Sequence, residues 1–241
     1  MSYKKIFVTS TGRAGSKFMF FLLNEFELQV GRHEHYVGPE GGVISFTWNK
    51  FCDTKHFAPT KGNEEGPIKN WNQVALVREP LACILSLTTV KFHSGPQQFR
   101  FLETPEVKGC RDVLKRSMIF YYQVNNWLFE LWQENNIQGF IRLEDVGDRK
   151  TLSKIVELTH TDLDTNNVEI PSADFDSKVE KLQNAYNFLD KKYKKKLNTR
   201  LDRNKYLDNN NTVTWETMND IDTNLTNDIK SLSEKMGYEI L

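Results

Sequence analysis

The stretch that decides the fold is Ile6-Phe7-Val8-Thr9-Ser10-Thr11-Gly12-Arg13-Ala14-Gly15-Ser16-Lys17-Phe18-Met19-Phe20-Phe21-Leu22-Leu23. Its beginning, within residues 4–9, is apolar and β-branched, which predicts a short strand. A turn with two glycines follows, and the apolar periodicity of residues 16–27 predicts a helix. A strand, a tight glycine turn and a helix in this order are the first half of a βαβ unit.

Similar units follow along the chain. A second apolar run ends at Arg78-Glu79-Pro80, where the proline suits the first turn of a helix. A third candidate strand stands between two helical patterns, the first of which is long, amphipathic and rich in aromatic residues. Strands that alternate with helices predict a three-layer α/β/α fold around a mainly parallel sheet. With the glycine turn after the first strand, this arrangement resembles the fold of the P-loop NTPases. The predicted elements are strands at 73–77 and 139–143 and helices at 80–89, 111–135 and 149–159.

The other segments carry weaker patterns. Leu28-Gln29-Val30 is a short apolar run typical of a strand, whereas residues 38–70 combine glycines and prolines without a period. We expect this second segment to form loops over the site. Residues 178–205 are predicted to be helical and become basic at 191–196, and the Asn- and Asp-rich residues 206–228 are predicted to be a peripheral tail.

Composition indicates one globular unit. Lys and Arg number 32, as do Asp and Glu, so no overall field draws the chain to nucleic acid. No apolar run is long enough for membrane insertion, and we expect a cytoplasmic protein. The cysteines are far apart and lack a metal or redox spacing, so we expect free thiols and no metal site. We expect a single domain over 1–241, with a nucleotide-binding core at about 4–160 and a helical C-terminal part at about 175–241.

The turn between the first strand and the first helix predicts an anion site. Backbone N–H groups and the positive end of the helix dipole point to one place there. Gly12 and Gly15 allow the backbone to turn tightly and to approach phosphate oxygens. Ser16 adds a hydroxyl donor, and Arg13 and Lys17 add charge-assisted donors.

A P-loop for nucleoside triphosphates is the obvious alternative. It requires Gly-x-x-x-x-Gly-Lys followed by a Ser or Thr that ligates Mg²⁺. In this chain Ser16 separates Gly15 from Lys17. Phe18 stands where the magnesium-binding hydroxyl is required, and Asp145 is a weak candidate for the Walker B aspartate. A kinase-like phosphoryl transferase is therefore the disfavoured reading.

Two short motifs carry a resemblance to a known family. Arg13-Ala14-Gly15-Ser16 resembles the 5′-phosphosulfate-binding loop of the sulfotransferases, in which a basic residue, Ser or Ala, Gly, and Ser or Thr follow the first strand. Arg78, with Ser86 eight residues later, is similar to the 3′-phosphate motif of the same family. Two turns of helix carry the Ser86 hydroxyl to the face near Arg78, so both can reach one phosphate.

The resemblance covers roughly residues 4–160. Within it, Ile141-Arg142-Leu143-Glu144-Asp145-Val146 is similar to the family's strand-ending Glu-Asp-Leu signature, for which we expect a structural role. The basic, Gly-rich segment with which cytosolic small-molecule sulfotransferases close over the 3′-phosphate has no counterpart near the C-terminus. The chain is therefore more similar to the bacterial and carbohydrate-type branches. The basic run at 191–196 is an alternative closing element, although a solvated helix face is the favoured interpretation.

The resemblance implies transfer of a sulfuryl group from 3′-phosphoadenosine 5′-phosphosulfate (PAPS) to the hydroxyl of a carbohydrate or small molecule, without a metal. The residues implied in binding PAPS are Gly12, Arg13, Ala14, Gly15, Ser16, Lys17, Arg78 and Ser86. Arg13 and Lys17 are also implied in catalysis, because charge builds up on the leaving bisphosphate. A catalytically inactive nucleotide-binding or interaction protein is the alternative from a different class.

The catalytic base is expected in Gly31-Arg32-His33-Glu34-His35. This cluster resembles the Gly-His-Glu element of some bacterial sulfotransferases, interrupted by Arg32. Glu34 is the first candidate, His33 the second and His35 the third. Partial burial would tune a glutamate toward neutral pH, whereas a histidine needs little tuning. The His-x-His spacing alone is poor support for a metal site.

Overall fold

The computed structural model describes residues 6–26, 28, 30–32, 42–45, 71–89, 105–159, 172–204 and 213–240. These residues include one five-stranded sheet in the order β2-β3-β1-β4-β5, and every neighbouring pair is parallel. The sheet thus has β1 at its centre and β2 and β5 at its edges. Its strands are β1 (Ile6–Ser10), β2 (Val30–Arg32), β3 (Gly42–Ser45), β4 (Asn72–Val77) and β5 (Phe140–Arg142).

The helices follow the predicted pattern closely. Those predicted after β1 and β4, together with the long aromatic-rich helix and the helix after β5, are present with boundaries within two residues of the predictions. A 3₁₀ turn at Leu143–Asp145 directly follows β5. The helices are α1 (Ser16–Glu25), α2 (Pro80–Thr88), α3 (Pro105–Gly109), α4 (Val113–Gln133), α5 (Arg149–Thr159), α6 (Ser172–Asn204), α7 (Trp215–Ile221) and α8 (Thr223–Lys235).

Alternation of side chains along the strands builds a core on each face of the sheet. Ile6 and Val8 of β1 pack with helices α1, α5 and α6 on one face. Ala75 of β4 packs with α2, α4, α7 and α8 on the other face, where Val77 also contacts α8. Because successive strand residues point to opposite faces, a parallel sheet needs a helical layer on both. The three-layer α/β/α fold predicted from the sequence is confirmed.

Two parts of the sequence-based description were wrong. Gly42–Ser45, predicted to lie in loops, is strand β3 between β2 and β1, where parallel hydrogen bonding on both sides compensates for a short segment that begins with glycine. Much of the Asn- and Asp-rich tail is also not peripheral. Helix α7 buries Met218 in the core formed with α2 and α4, and Leu225 of α8 packs against the same core.

The connections from β1 and β4 leave the sheet in opposite directions. These strands are neighbours, and their carboxyl ends are level because Ser10 pairs with Leu76. Helix α1 after β1 packs on one face and helix α2 after β4 on the other. A crevice at the carboxyl ends of two such strands is where ligands bind in open α/β sheets. The turn at residues 11–15 and the turn at Arg78-Glu79 both lie there.

No helix in the described residues is long and apolar enough to cross a membrane. The single-domain organisation stays a prediction.

Candidate active site

The turn after β1 is held in an unusual backbone conformation. Gly12, Arg13 and Gly15 all have left-handed φ angles, of 73°, 61° and 98°. Such angles are natural for glycine, but a residue with a Cβ adopts them at a cost of about 1 kcal/mol or more. Arg13 is therefore strained, a condition that occurs preferentially at binding and catalytic sites.

The turn after β1 leads directly into the amino end of α1. Gly15 is the N-cap residue, and in the described part of the chain no side chain caps this helix. The carbonyl of Gly15 accepts from the amides of Phe18 and Met19, at 2.8 and 3.0 Å. The amides before Phe18 are those that a helix N-terminus offers to an anion, together with the positive end of its dipole.

A close packing contact explains why residue 15 is a glycine. A Cβ built on Gly15 would lie 2.5 Å from Cδ1 and 2.7 Å from Cδ2 of Leu143. Leu143 belongs to the 3₁₀ turn after β5, so the segment similar to the Glu-Asp-Leu signature supports the first turn from the side. Ala14 is also fully buried. These two residues therefore shape the turn through their small size.

The turn after β4 is held by side-chain hydrogen bonds instead. Glu79 is the N-cap residue of α2, and its carboxylate accepts from the amides of Leu81 and Ala82, at 3.0 and 2.6 Å. Pro80 occupies the first position of the helix, where it has no amide to satisfy. This arrangement fixes the direction in which Arg78 leaves the strand.

The two turns contact each other through the residues that the sequence motifs indicated. The Arg78 guanidinium donates from Nη1 to the backbone carbonyl of Arg13, at 3.3 Å. The Arg13 guanidinium donates from Nε to the Ser86 hydroxyl on α2, at 3.0 Å. Two arginines and a serine from separate motifs thus meet at the crevice between β1 and β4. Their charge-assisted donors suit phosphate and sulfate oxygens.

Cys83 lies beneath both turns. Its thiol is 3.5 Å from the Thr11 hydroxyl and donates to the Gly12 carbonyl at 3.8 Å. Burial raises the pKa of this thiol from 9.0 to about 11, against smaller opposing effects of Thr11, Arg78 and Arg13. Cys83 is consequently a neutral thiol at neutral pH and links helix α2 to the turn after β1.

The 3₁₀ turn after β5 supports the second turn as well. The Glu144 carboxylate accepts from the backbone amide of Glu79 at 3.0 Å and from the Tyr238 hydroxyl at 3.2 Å. Arg142 pairs with Asp145 within this segment at 2.5 Å, and this hydrogen bond is the main cause of a raised pKa of Arg142. The segment 142–145 therefore packs against the turn after β1 through Leu143 and hydrogen-bonds to the turn after β4 through Glu144.

The remaining predicted site residues are Ser16, Lys17 and the candidate bases. Ser16 is buried at the first position of α1. Lys17 is exposed, and its Nζ lies 5.9 Å from the ring centroid of Phe21, one turn further along the helix. A role of Lys17 at the site stays a prediction. The candidate bases Glu34, His33 and His35 lie outside the described residues.

Sequence reasoning missed the supporting roles of Glu79 and Cys83, whereas it expected a structural role for the segment that contains Leu143 and Glu144. Glu79 has a local signal, because it directly precedes Pro80, which suits the first position of a helix. The others act through contacts between segments that are distant in sequence. Within the described residues no group of three His, Cys, Asp or Glu side chains is arranged to hold a metal ion.

Comparison with known proteins gives one likeness to report. No protein-family model matches the chain. No curated protein matches it at a significant level. Among solved structures, the chain is similar to mouse sulfotransferase SULT7A1 complexed with PAP, at 16% sequence identity and a TM-score of 0.44. The match covers 77% of this chain and 63% of the mouse chain, so this chain spans less than two thirds of that protein's length.

Proposed function

We propose that this chain is a sulfotransferase that transfers a sulfuryl group from PAPS to an acceptor hydroxyl. The observation that carries the proposal is the meeting of Arg13, Arg78 and Ser86 at the crevice between β1 and β4. A donor that is phosphorylated at both its 3′ and 5′ positions needs two anion sites close together. The turn after β1 supplies one of them, and Arg78 and Ser86, which each hydrogen-bond to Arg13, supply the other.

The 5′-phosphosulfate binds at the amino end of α1. Backbone amides of the turn and the helix dipole hold its oxygens, together with the Ser16 hydroxyl and the charged groups of Arg13 and Lys17. In the reaction the acceptor oxygen forms a bond to sulfur while the bond from sulfur to the bridging phosphate oxygen breaks. The negative charge that develops on this bridging oxygen is stabilised by the same cations.

The acceptor hydroxyl loses its proton to a base as the new bond forms. Glu34 is the first candidate for this base and His33 the second. The acceptor is a carbohydrate or a small molecule with a free hydroxyl group.

The chemistry of the turn disfavours phosphoryl transfer. A magnesium-dependent P-loop has a hydroxyl directly after its lysine. Here that position is Phe18, whose ring packs edge-on against Tyr186 of α6 at a centroid distance of 5.9 Å. The side chain at this position therefore contributes to packing between α1 and α6 and has no oxygen to offer a metal.

Binding of the desulfated donor product tests the proposal. Adenosine 3′,5′-bisphosphate is expected to raise the melting temperature without Mg²⁺, and ATP with Mg²⁺ is expected to have little effect. Arg78→Ala should weaken bisphosphate binding roughly 10- to 100-fold, because it removes charge-assisted hydrogen bonds. Arg149→Ala is the matched control, since Arg149 makes an ion pair with Asp176 that is largely exposed.

Turnover tests the chemical step separately. Glu34→Gln should leave bisphosphate binding unchanged and abolish sulfuryl transfer to an acceptor panel. If His33→Ala abolishes transfer instead, the second candidate is the base. Stabilisation by ATP with Mg²⁺ alone would refute the proposal. Tight bisphosphate binding without turnover on any acceptor would favour an inactive nucleotide-binding protein.

A further inference from the structure

Gly237 and Tyr238, near the end of the described residues, contact Arg142 and Glu144 beside the donor site. Helix α8 ends at Lys235, and Gly237 follows with a φ of 88° that reverses the chain direction. The amide of Tyr238 then donates to the carbonyl of Ser233 at 3.0 Å. This pattern is typical of a glycine-terminated helix and gives Tyr238 a defined position.

Contacts with β4, β5 and the segment that follows β5 hold Gly237 and Tyr238 in place. The Arg142 guanidinium donates to the carbonyl of Gly237 and lies 5.5 Å from the centroid of the Tyr238 ring. Tyr238 packs with Val77 at the end of β4 and with residues of α8. Its hydroxyl donates to the Glu144 carboxylate at 3.2 Å. The C-terminal segment is thus fixed beside β4, which Arg78 directly follows.

Glu144 transmits this contact to the turn after β4. One carboxylate oxygen accepts from Tyr238, and the other accepts from the backbone amide of Glu79 at 3.0 Å. That amide belongs to the peptide group that joins Arg78 to Glu79. Its orientation sets the direction of the chain at the point where Arg78 leaves the strand, and Arg78 itself donates to the Arg13 carbonyl at 3.3 Å.

We propose that Glu144 and Tyr238 are positioning residues for the 3′-phosphate subsite, which orient the Arg78–Glu79 peptide from behind. This inference rests on the proposed function. It assigns to the C-terminal segment a role in the donor site without direct contact with the donor.

Tyr238 is suited to a permanent donor role. Burial, followed by the nearby Glu144 carboxylate, raises the pKa of the Tyr238 hydroxyl above its ordinary value. The hydroxyl therefore keeps its proton throughout the pH range in which the protein would act. Tyr238 is then a proton donor to Glu144 at any pH near neutrality.

The ratio of two dissociation constants tests this role. Calorimetry measures binding of adenosine 5′-monophosphate and of adenosine 3′,5′-bisphosphate. The Kd of the monophosphate divided by the Kd of the bisphosphate reports the contribution of the 3′-phosphate subsite alone. Glu144→Ala is expected to reduce the ratio roughly tenfold and Tyr238→Phe roughly threefold, as expected for weakened orientation of a charge-assisted contact. Glu144→Gln should give a ratio between those of Glu144→Ala and the wild type, because its amide oxygen still accepts from Glu79 while the Tyr238 hydroxyl loses its carboxylate acceptor.

The controls separate positioning from general stability. Tyr122→Phe removes a hydroxyl from the same apolar cluster around Val77 and should leave the ratio unchanged. A merely structural role would lower the melting temperature or weaken both ligands equally, and either result without a change in the ratio overturns the inference. If the wild-type protein distinguishes the ligands but both Glu144→Ala and Tyr238→Phe keep its full ratio, only this inference fails. If the wild type binds the two ligands equally, the proposed function fails as well.

Discussion

The two turns that meet at the candidate site are fixed by different means. The turn after β1 depends on backbone conformation, with left-handed angles at Gly12, Arg13 and Gly15 and a close contact at Gly15. The turn after β4 depends on hydrogen bonds to carboxylates, those of Glu79 and Glu144. A single substitution of glycine removes a conformation that only glycine adopts easily. Loss of one of several hydrogen bonds leaves the others in place to stabilise the turn. The first turn should therefore be the more sensitive to single changes.

The largest effect is expected for Gly15→Ala. The substitution places a Cβ in a left-handed conformation and within 2.5 Å of the Leu143 side chain. Backbone strain and overpacking together should lower the free energy of unfolding by about 3 kcal/mol, measured by urea denaturation. Adding Leu143→Ala should recover the packing part and leave the backbone part.

Gly109→Ala is the matched control for that substitution. A Cβ at Gly109, the last residue of α3, would meet no atom within 4 Å, and its φ lies outside the left-handed region. Its free energy of unfolding should stay within about 0.5 kcal/mol of the wild-type value. Equal effects at Gly15 and Gly109 would show that the first turn does not depend on its glycine conformation.

Local motifs in the two turns could be predicted from the sequence, whereas contacts between segments that are distant in sequence could not. The glycines at 12 and 15 and the Arg78–Ser86 spacing are patterns within a few residues of one another, so they could be recognised without a structure. The contact between Gly15 and Leu143 joins segments far apart in the chain, and no periodicity reports it. A hydrogen bond such as that from Tyr238 to Glu144 is equally invisible to a pattern.

The two errors in the fold have a similar physical origin. Strand β3 is four residues long and begins with glycine, so its local propensity is weak and its position depends on pairing with β1 and β2. Helices α7 and α8 lie in a segment rich in Asn and Asp, where a few buried apolar side chains such as Met218 and Ile229 decide the packing. In both cases tertiary contacts override a weak local signal.

Cys83 links helix α2 to the turn after β1, and ionisation of its thiol gives the next largest effect. Below pH 9 the thiol is neutral in both the folded and the unfolded chain. Between pH 9.0 and about 11 the unfolded chain loses this proton while the folded protein keeps it. Because the unfolded state then binds fewer protons, stability falls over this interval, by about 2 kcal/mol from this group alone.

Urea denaturation between pH 8 and 11 measures this contribution. Cys83→Ala removes the titrating group, so its curve of stability against pH should fall less steeply above pH 9 than that of the wild type. Tyrosine ionisation affects both proteins, and only the pKa values of Tyr121 and Tyr238, which Cys83 itself helps to raise, differ between them. Cys110→Ala serves as the control, since Cys110 is a free cysteine that is only half-buried. Parallel curves for the wild type and Cys83→Ala would contradict a buried neutral thiol beneath the turns.

The smallest effect is expected in the turn after β4, for Glu79→Ala. The substitution removes the carboxylate that caps α2 and should lower the free energy of unfolding by about 1 kcal/mol. Asp112→Ala is a matched change, because Asp112 caps α4 by accepting from the amide of Lys115 at 2.6 Å. Both variants should lose similar stability in urea, but only Glu79→Ala should also weaken binding of adenosine 3′,5′-bisphosphate, since its cap orients Arg78. Equal binding by the two variants would mean that the second turn needs no cap to hold its arginine, and that the contact from Arg78 to the Arg13 carbonyl suffices.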